Sequence, residues 1–513
     1  MGTETSVFDR IKARFEQKTG LAGIDSELRQ REGSDVLVLK VANPSDRIFN
    51  ILEQVRQEFA GREAEAPLAT LVRKSGDNLL QGAEGKLLLR TLAESLNINR
   101  YSFEEDFLTR YTKSVFGAEE QISASANHVV YGRRGAGKST LLLYARHNRS
   151  TPTEPSVWVD MQVYARRADE GVIADVLRDV LEQTGKVLSE EANHRKCLNE
   201  LQKPSISEGD IRHLLPSIRR LLSTFATTGR ELFVFLDDLH VISQSLQPKL
   251  LDILYAIARG NRVFLKLSAI ETLTRTFDPA ARVGLEVPHD AQLIKLDYNL
   301  TMPDKATQHI EAILNSHAVY CGLPSLRKLC TSGDVIPRLT WVAAGVPRDA
   351  LNVFSQAMTK ATLESRHHVS VSNVNVAASE AINTKLHDLD ADVPYNTQEL
   401  RDLLDEIREF CVRKRRKNAF LVEIKSDDPL YENARKLVDL RVLHVINEGI
   451  TTREAGRKFL GLILDYGFYT GIRAARRVDL FNRQTGRVAY KDLRRLPVFV
   501  RSSEAKGSRP KTN

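Results

Sequence analysis

Apolar residues follow two alternating patterns along the central part of the chain. Apolar runs typical of buried strands occur at residues 128–131 and 232–236, and further strand patterns that fit the same sheet occur at 156–162, 262–268 and 292–298. Segments with helical apolar spacing separate them, beginning with residues 140–145 directly after the first run. Strands that alternate with helices indicate a parallel sheet with helices on both faces. We therefore predict an α/β fold built on a parallel sheet.

The segment upstream of this sheet has a mixed pattern. Residues 6–17 and 45–61 have the apolar spacing of amphipathic helices, and residues 35–41 have that of a strand. Ser45 is a typical helix-capping residue, and Gly61 is typical of a helix end. These features predict a small N-terminal α+β domain without a catalytic constellation.

The segment downstream, residues 386–513, starts a new pattern. Residues 397–416 are predicted to form an amphipathic helix that ends in a basic run, and residues 419–424 a short strand. A second helix is predicted over 429–449, because Pro429 suits a first turn and Gly449 suits a stop. A strand pair or wing is predicted over 457–471.

The turn after the first central strand contains candidate chemistry. Its sequence, GRRGAGKS, fits the phosphate-loop pattern G-x-x-x-x-G-K-[ST], also called Walker A. Glycines let the backbone wrap a phosphate chain, and the N–H groups of the turn and of the following helix face negative charge. Lys138 is predicted to reach the β- and γ-phosphates of ATP, and Ser139 to hold Mg²⁺. The predicted nucleotide-binding residues are Gly132, Arg133, Arg134, Gly135, Ala136, Gly137, Lys138, Ser139 and Thr140.

A phosphate loop also needs an acidic partner on another strand. The buried run 232–236 ends in Asp237 and Asp238. We predict that Asp237, as the Walker B aspartate, holds the Mg²⁺ shell and that Asp238 polarises the attacking water. The strand-end position also suits a simple acidic cap.

These motifs together resemble the AAA+ ATPases, nearest the origin-recognition-type branch, and the related signalling ATPases called STAND proteins. The resemblance covers roughly residues 101–385 and includes the segment GVPRDALNVFSQAM, in which Gly345 and Pro347 match the GxP signature of STAND proteins. It implies a helical lid after the sheet. It also implies that Ser268, at the sensor 1 position, senses the γ-phosphate and that Arg348, at the sensor 2 position, couples the lid to it.

The chain departs from the AAA+ pattern in two ways. Its Walker B strand ends in Asp-Asp where Asp-Glu is usual, so slow hydrolysis is expected from the shorter side chain of Asp238. A clear arginine-finger motif is also missing, although Arg275 and Arg282 lie in the segment where such a finger usually projects. The resemblance nevertheless implies a homo-oligomer that forms with ATP.

Charge is unevenly distributed along the chain. Residues 401–513 contain 26 lysines and arginines against 15 aspartates and glutamates, a net charge of +11, whereas the whole chain has a net charge of +8. The downstream order of helix, strand, helix and wing resembles the winged-helix module of origin-recognition-type ATPases. A basic module of this kind predicts binding to the phosphates of duplex DNA.

The sequence thus predicts five segments. They are an N-terminal α+β domain at 1–100, the AAA+ core at 101–302, a helical lid at 303–385, a winged-helix-like domain at 386–500 and a disordered basic tail at 501–513. The four cysteines form no CxxC pair, and no apolar run is long enough to cross a bilayer, which favours a cytoplasmic protein without a membrane partner.

Two functions fit these features. The first is an ATPase that uses ATP and Mg²⁺ to act on duplex DNA through residues 386–513, by binding it and by loading or regulating a protein partner there. The alternative is a nucleotide-gated signalling switch, for example a sensor in bacterial antiphage defence, whose winged helix binds protein. Asp-Asp and GxP favour the switch, and the basic C-terminal segment favours DNA.

Overall fold

The computed structural model describes most of the chain. It covers residues 6–501 apart from 32–33, 61–67, 75–77, 104, 150–155, 166, 168, 170, 186–191, 204–205, 227–229, 297–299, 393–396, 426–427, 452–455, 470–477 and 479–489. The predicted tail lies outside these residues from position 502 onward, as does part of the predicted wing. Among the residues described, no helix is long and apolar enough to span a membrane.

The N-terminal part is a small mixed sheet flanked by helices. The elements are α1 (Val7–Thr19), β1 (Asp25–Arg31), β2 (Ser34–Val41), α2 (Asp46–Ala60), β3 (Leu68–Arg73) and α3 (Ala83–Glu94). Strand β2 is central, pairing antiparallel with β1 and parallel with β3. Ser6 caps α1 by accepting a hydrogen bond from the N–H of Phe8. The predicted α+β character of this part is confirmed.

The central part is the predicted α/β sandwich. Its elements are α4 (Glu105–Leu108), α5 (Ala118–Ile122), β4 (His128–Tyr131), α6 (Lys138–Arg149), β5 (Ser156–Asp160), α7 (Gly171–Gly185), α8 (Ala192–Leu201), α9 (Glu208–Phe225), β6 (Leu232–Asp237), α10 (Leu246–Ala258), β7 (Val263–Ala269), β8 (Phe277–Asp278), β9 (Val283–Gly284) and β10 (Gln292–Lys295). Five of the strands form one parallel sheet in the order β10-β4-β7-β6-β5. Separate apolar clusters cover its two faces, so β4 and β6 are buried along their whole length.

Four helices follow the sheet, as the predicted lid requires. They are α11 (Pro303–Tyr320), α12 (Val335–Val342), α13 (Pro347–Leu363) and α14 (Val371–Asp392). Pro347 occupies the first turn of α13, where its missing N–H costs no helical hydrogen bond.

The C-terminal part is a three-stranded antiparallel sheet with helices against it. Its elements are α15 (Thr397–Glu409), a π-helical turn (Phe410–Lys414), β11 (Ala419–Glu423), α16 (Pro429–Asp439), β12 (Leu443–Thr451), β13 (Lys458–Leu464) and α17 (Tyr490–Leu493). The sheet order is β11-β13-β12. The predicted order of helix, strand and helix is present. The strand pair predicted over 457–471 is wrong: among the described residues of that range only β13 is a strand, a 3-10 turn (Tyr466–Phe468) follows it, and its antiparallel partner is the upstream β12.

The predicted second helix over 429–449 is wrong in its second half. Helix α16 ends at Asp439, and β12 then pairs with β13. The apolar residues at 442, 443, 445 and 446 fit a helix face as well as a strand, so the sequence pattern alone did not separate the two. Gly449 does not stop a helix; it lies inside β12 with φ +88° where the pairing register shifts.

The N-terminal domain, the lid and the C-terminal domain share one hydrophobic core. A single buried cluster includes Ile11, Leu88, Trp341, Phe354 and Phe459, which come from all three parts. Because the core is continuous, the lid packs against both the N-terminal domain and the C-terminal domain.

Candidate nucleotide-binding site

The loop between β4 and α6 has the backbone of a phosphate-binding turn. Gly135 and Gly137 have φ angles of +79° and +97°, a region that glycine reaches without steric cost. Lys138 is the first residue of α6, so the loop's N–H groups and the helix N-terminus point into the same space. Gly132 is confined differently, since a Cβ there would lie 3.0 Å from the carbonyl oxygen of Leu296.

The sheet order brings two carboxylates to this loop. Ser139 Oγ donates a hydrogen bond to Asp237 Oδ1 at 3.0 Å, and Ser268 Oγ donates to the same oxygen. The N–H of Asp238 in turn donates to Ser268 Oγ at 2.9 Å. Strand β7 lies between β4 and β6, which is why Ser268 can hold both acidic residues.

In the central sheet, the phosphate loop is hydrogen-bonded to the acidic end of β6. The central part of the chain has a P-loop NTPase fold.

Several solved structures match most of the chain at low identity. The Walker-type ATPase PABY2304 of Pyrococcus abyssi is 15% identical with a TM-score of 0.40, covering 75% of this chain and 99% of that one. The ORC1 protein of Aeropyrum pernix, in complex with DNA, is 14% identical with a TM-score of 0.39, covering 72% and 93%. Drosophila ORC bound to DNA is 14% identical with a TM-score of 0.37, covering 83% and 98%.

No protein-family model matches the chain, and no curated protein matches it. At these identities and TM-scores the likeness carries no argument about activity.

The two carboxylates have opposite electrostatic environments. Burial, together with the charge of Asp238, raises the pKa of Asp237 to about 6. Burial also opposes the charge of Asp238, but the positive charge of Lys138 outweighs burial, so the pKa of Asp238 lies below its usual value. Burial lowers the pKa of Lys138, and both carboxylates oppose that effect. A bound anion would therefore stabilise the charged form of Lys138, and a bound cation would stabilise the charged form of Asp237.

The oxygens of Ser139 and Asp237 fit a magnesium ion. Mg²⁺ prefers oxygen ligands at about 2.0–2.1 Å in an octahedron, which places adjacent ligand oxygens about 2.9 Å apart. Ser139 Oγ and Asp237 Oδ1 lie 3.0 Å apart, close enough for one ion to contact both oxygens in place of their hydrogen bond. The raised pKa of Asp237 also indicates a carboxylate that a cation would stabilise.

The lid contacts the phosphate loop directly. The N–H of Arg348, near the start of α13, donates to the carbonyl oxygen of Gly135 at 3.2 Å. A Cβ on Gly135 would lie 2.7 Å from Cβ of Arg348, so only glycine allows this approach. Arg133 Nη2 donates to the carbonyl oxygen of Ala344 at 3.0 Å. The loop and the lid are thus in van der Waals and hydrogen-bond contact.

A cavity of about 1170 Å³ opens at this junction, slightly above the usual range for small-molecule sites. Its lining includes most of the predicted site, namely Arg134, Gly135, Ala136, Gly137, Lys138, Ser139, Thr140, Asp238 and Arg348. Burial, then the charges of Arg441 and Arg134, lower the pKa of Arg348, so a bound anion would relieve repulsion among these cations.

Four predicted site residues do not line this cavity: Gly132, Arg133, Asp237 and Ser268. The guanidinium of Arg133 is buried against the lid, as described above. Ser268 is fully buried, and its hydroxyl hydrogen goes to Asp237. This geometry differs from direct contact of Ser268 with a γ-phosphate; the serine instead orients Asp237 and the backbone of Asp238.

Sequence reasoning missed many residues of the cavity lining, and three of them are polar side chains that bear on the site. Gln162 Nε2 donates to Asp238 Oδ2 at 3.2 Å, His240 Nδ1 lies 3.9 Å from Asp238 Oδ1, and Lys436 of α16 reaches the lining from the C-terminal domain. Gln162 follows the end of β5, and the carboxyl ends of neighbouring parallel strands meet at one edge, which is a usable signal. His240 follows the aspartate pair closely, but nothing local indicates Lys436.

The two candidate finger residues lie on the surface. Arg275 Nη2 donates to Asp278 Oδ1 at 2.9 Å, and its side chain is 46% exposed. Arg282 is exposed, with φ +54°. Neither lines the cavity described above.

A buried charge cluster joins the lid to the C-terminal domain beside Arg348. Lys385 of α14 lies 3.2 Å from Asp349 Oδ2 and 2.6 Å from Asp465 Oδ2. Arg441 pairs with Asp349, and His444 Nε2 lies 2.8 Å from Asp465 Oδ2. All five side chains are less than a tenth exposed. By contrast, the basic run that follows α15 is exposed at Arg413, Lys414, Arg415 and Arg416.

Proposed function

We propose that this chain binds MgATP and hydrolyses it slowly. The observation that carries the proposal is that Lys138, Ser139 and Asp238 line one cavity, with Asp237 bonded to the hydroxyl of Ser139. Lys138 and the loop N–H groups would bind the β- and γ-phosphates, and Ser139 and Asp237 would hold Mg²⁺. Arg348 would contact the phosphates from the lid, so that the lid responds to the nucleotide.

The chemical step follows from the position of the carboxylates. Asp238 would orient a water molecule toward the γ-phosphorus and accept its proton, while Ser268 keeps Asp237 and the Asp238 backbone in place. Mg²⁺ would neutralise charge on the β- and γ-oxygens. Slow turnover is expected because an aspartate side chain is one methylene shorter than the usual glutamate.

Nucleotide binding is tested by replacing Lys138 with alanine. Loss of the buried cation should weaken binding of a non-hydrolysable ATP analogue at least about tenfold, since hydrogen bonds to charged groups contribute about 1.5–3 kcal/mol. Isothermal titration calorimetry measures the affinity, and circular dichroism checks the fold. Unchanged affinity in a folded Lys138→Ala protein would show that the loop binds no phosphate chain.

We further propose that the ATPase acts on duplex DNA through its C-terminal domain. The supporting observation is that Arg413, Lys414, Arg415 and Arg416 are exposed together at the end of α15. Such a run suits contacts to phosphates, which carry no sequence information. Binding to many sequences with similar affinity is therefore expected.

DNA binding is tested by the salt dependence of affinity. If about five phosphates are contacted, the slope of log K against log salt should be about −4.5. Changing Arg413, Lys414, Arg415, Arg416 and Lys417 to glutamine should flatten that slope in fluorescence anisotropy titrations of the full chain. A control with the same charge change on other exposed cations should keep it, and the control positions are Arg195, Lys196, Lys203, Arg220 and Arg230. No binding at low salt with or without ATP would remove DNA as the partner.

A second candidate function, the nucleotide-gated switch, is favoured by one specific observation. Helix α16 of the C-terminal domain lies against the loop after β7, where Thr272 Oγ1 donates to Asp439, and its Lys436 lines the nucleotide cavity. A C-terminal domain docked in this way would respond to the phosphates. Hydrogen–deuterium exchange in ADP and in an ATP analogue tests it: α16 should exchange faster in one state, whereas identical exchange contradicts a switch.

A further inference from the structure

We propose that His240 is a second polar contact of the water that attacks the γ-phosphate, opposite Asp238. The inference rests on the proposed ATPase function and adds a residue to the same step. It assigns a role to a side chain that the phosphate-loop and acidic-strand patterns do not include.

The first support is the spacing of the two side chains. His240 Nδ1 lies 3.9 Å from Asp238 Oδ1, too far for a direct hydrogen bond but short enough for one water molecule to contact both atoms. The other carboxylate oxygen, Asp238 Oδ2, already accepts a hydrogen bond from Gln162. The oxygen that remains for a water is therefore the one that faces the imidazole.

The second support is the burial of an unsatisfied nitrogen. The His240 side chain is only 12% exposed, and its Nδ1 has no hydrogen-bond partner among the residues that the structure describes. A buried polar atom without a partner costs about 1–3 kcal/mol, so such atoms are usually satisfied by a ligand or a water. His240 lines the same cavity as Lys138, Ser139 and Asp238, which places a ligand within its reach.

The local backbone fixes this arrangement. Asp238 has φ +59°, and its carbonyl oxygen accepts from the N–H of Val241 at 3.1 Å, which closes the short 3-10 turn Leu239–Val241. Its N–H is held by Ser268, as described above. Because the turn is bonded at both ends, Asp238 and His240 have little freedom to move apart.

The charge state of the imidazole suits the role. Burial lowers the pKa of His240 to about 4, Lys138 and Arg134 lower it further, and Asp238 opposes them. The ring is therefore neutral near pH 7 and has one nitrogen that accepts a hydrogen bond. In the step, the water oxygen bonds to the γ-phosphorus as the bond to the β,γ-bridging oxygen breaks. One water proton passes to Asp238, and His240 holds the other hydrogen.

The test compares two substitutions of similar size. His240→Leu removes the polar contact, whereas His240→Asn places an amide atom where Nδ1 was. We expect kcat for ATP to fall about tenfold or more in His240→Leu, with affinity for a non-hydrolysable analogue within about twofold of wild type. His240→Asn should recover most of the turnover. His213→Leu, the same change at an exposed histidine of α9, is the matched control and should retain full turnover.

The outcomes separate this inference from the proposed ATPase function. Wild-type turnover with a fully active His240→Leu overturns the inference and leaves the ATPase intact. A kcat loss that His240→Asn does not recover, or one accompanied by a parallel loss of analogue affinity, also overturns it, because a packing role alone would give that result. Absence of turnover in the wild type would overturn both.

Discussion

Two adjacent carboxylates in this chain occupy different chemical environments. Asp237 is buried, bonded to two serine hydroxyls, and has a raised pKa, whereas Asp238 lines the cavity and has a lowered one. A group that remains ionised at the cavity wall is suited to accept a proton. A group held between Ser139 and Ser268 is suited to hold a cation.

This difference predicts distinct effects of two single substitutions. Asp238→Asn should keep binding of the ATP analogue but lower turnover by ~10²-fold or more, as expected for loss of a positioned base. Asp237→Asn is the matched control and should instead weaken binding that depends on Mg²⁺. Steady-state phosphate release and calorimetry with and without Mg²⁺ measure the two effects. Near-normal turnover in Asp238→Asn would mean that this residue only caps the strand.

At the scale of elements, the contact between α14 and the C-terminal sheet depends on buried charge. Lys385 lies between Asp349 and Asp465, and Asp465 also accepts from the N–H of Gly467 at 2.7 Å. Buried ions contribute little net stability when complete, but removing one partner leaves an uncompensated charge. The lid and the C-terminal domain are therefore held together by a cluster that does not tolerate loss of one member.

Neutralising Asp465 tests this contact. Asp465→Asn should lower the free energy of unfolding by about 3 kcal/mol, because Lys385 loses one of its two anionic partners. The control is Glu380→Gln on α14, the helix that contains Lys385. This change breaks the surface ion pair between Lys360 and the 53% exposed Glu380 and should lower the free energy of unfolding by less than about 1 kcal/mol. Denaturant titration followed by circular dichroism compares them. Equal effects would mean that the cluster is not stabilising the contact.

At the scale of the whole molecule, several histidines are buried in a neutral state. Burial is the largest cause in each case, and it lowers the pKa to about 4 for His128, His240, His309, His317 and His444. Unfolded histidine has a pKa of about 6.5, so below that pH the unfolded chain binds protons that the folded chain does not. Their contribution to stability is present above about pH 6.5 and is lost as the pH falls toward 4. Asp237, whose pKa is raised in the folded chain, favours the folded state as the pH falls, but it is one group against five histidines.

We therefore expect the protein to lose stability between pH 7 and pH 5, on the order of 1 kcal/mol for each of these histidines. Thermal unfolding at pH 8, 7, 6 and 5 measures the loss. His213→Gln, at an exposed position, should leave the pH dependence unchanged. A melting temperature that stays constant or rises toward pH 5 would contradict the buried neutral state.

Local sequence patterns were enough to predict the central sheet and the shape of the phosphate loop. Both are local: an apolar run long enough to be buried makes a strand, and glycines at fixed offsets allow the positive φ angles of the loop. The positions of Asp237 and Asp238 followed from the same logic, because the carboxyl ends of parallel strands meet at one edge of the sheet.

Other features depend on long-range packing and could not be read from local patterns. Residues 443–446 fit a helix or a strand equally well, and pairing with β13 made them part of strand β12. Ser268 was predicted at the right strand end, but its bond to Asp237 depends on how β7 and β6 align. The position of Lys436 in the nucleotide cavity and the pairing of Arg441 with Asp349 join residues far apart in the sequence. Periodicity specifies which face of an element is buried, but the partner of that face is fixed only when the whole core packs.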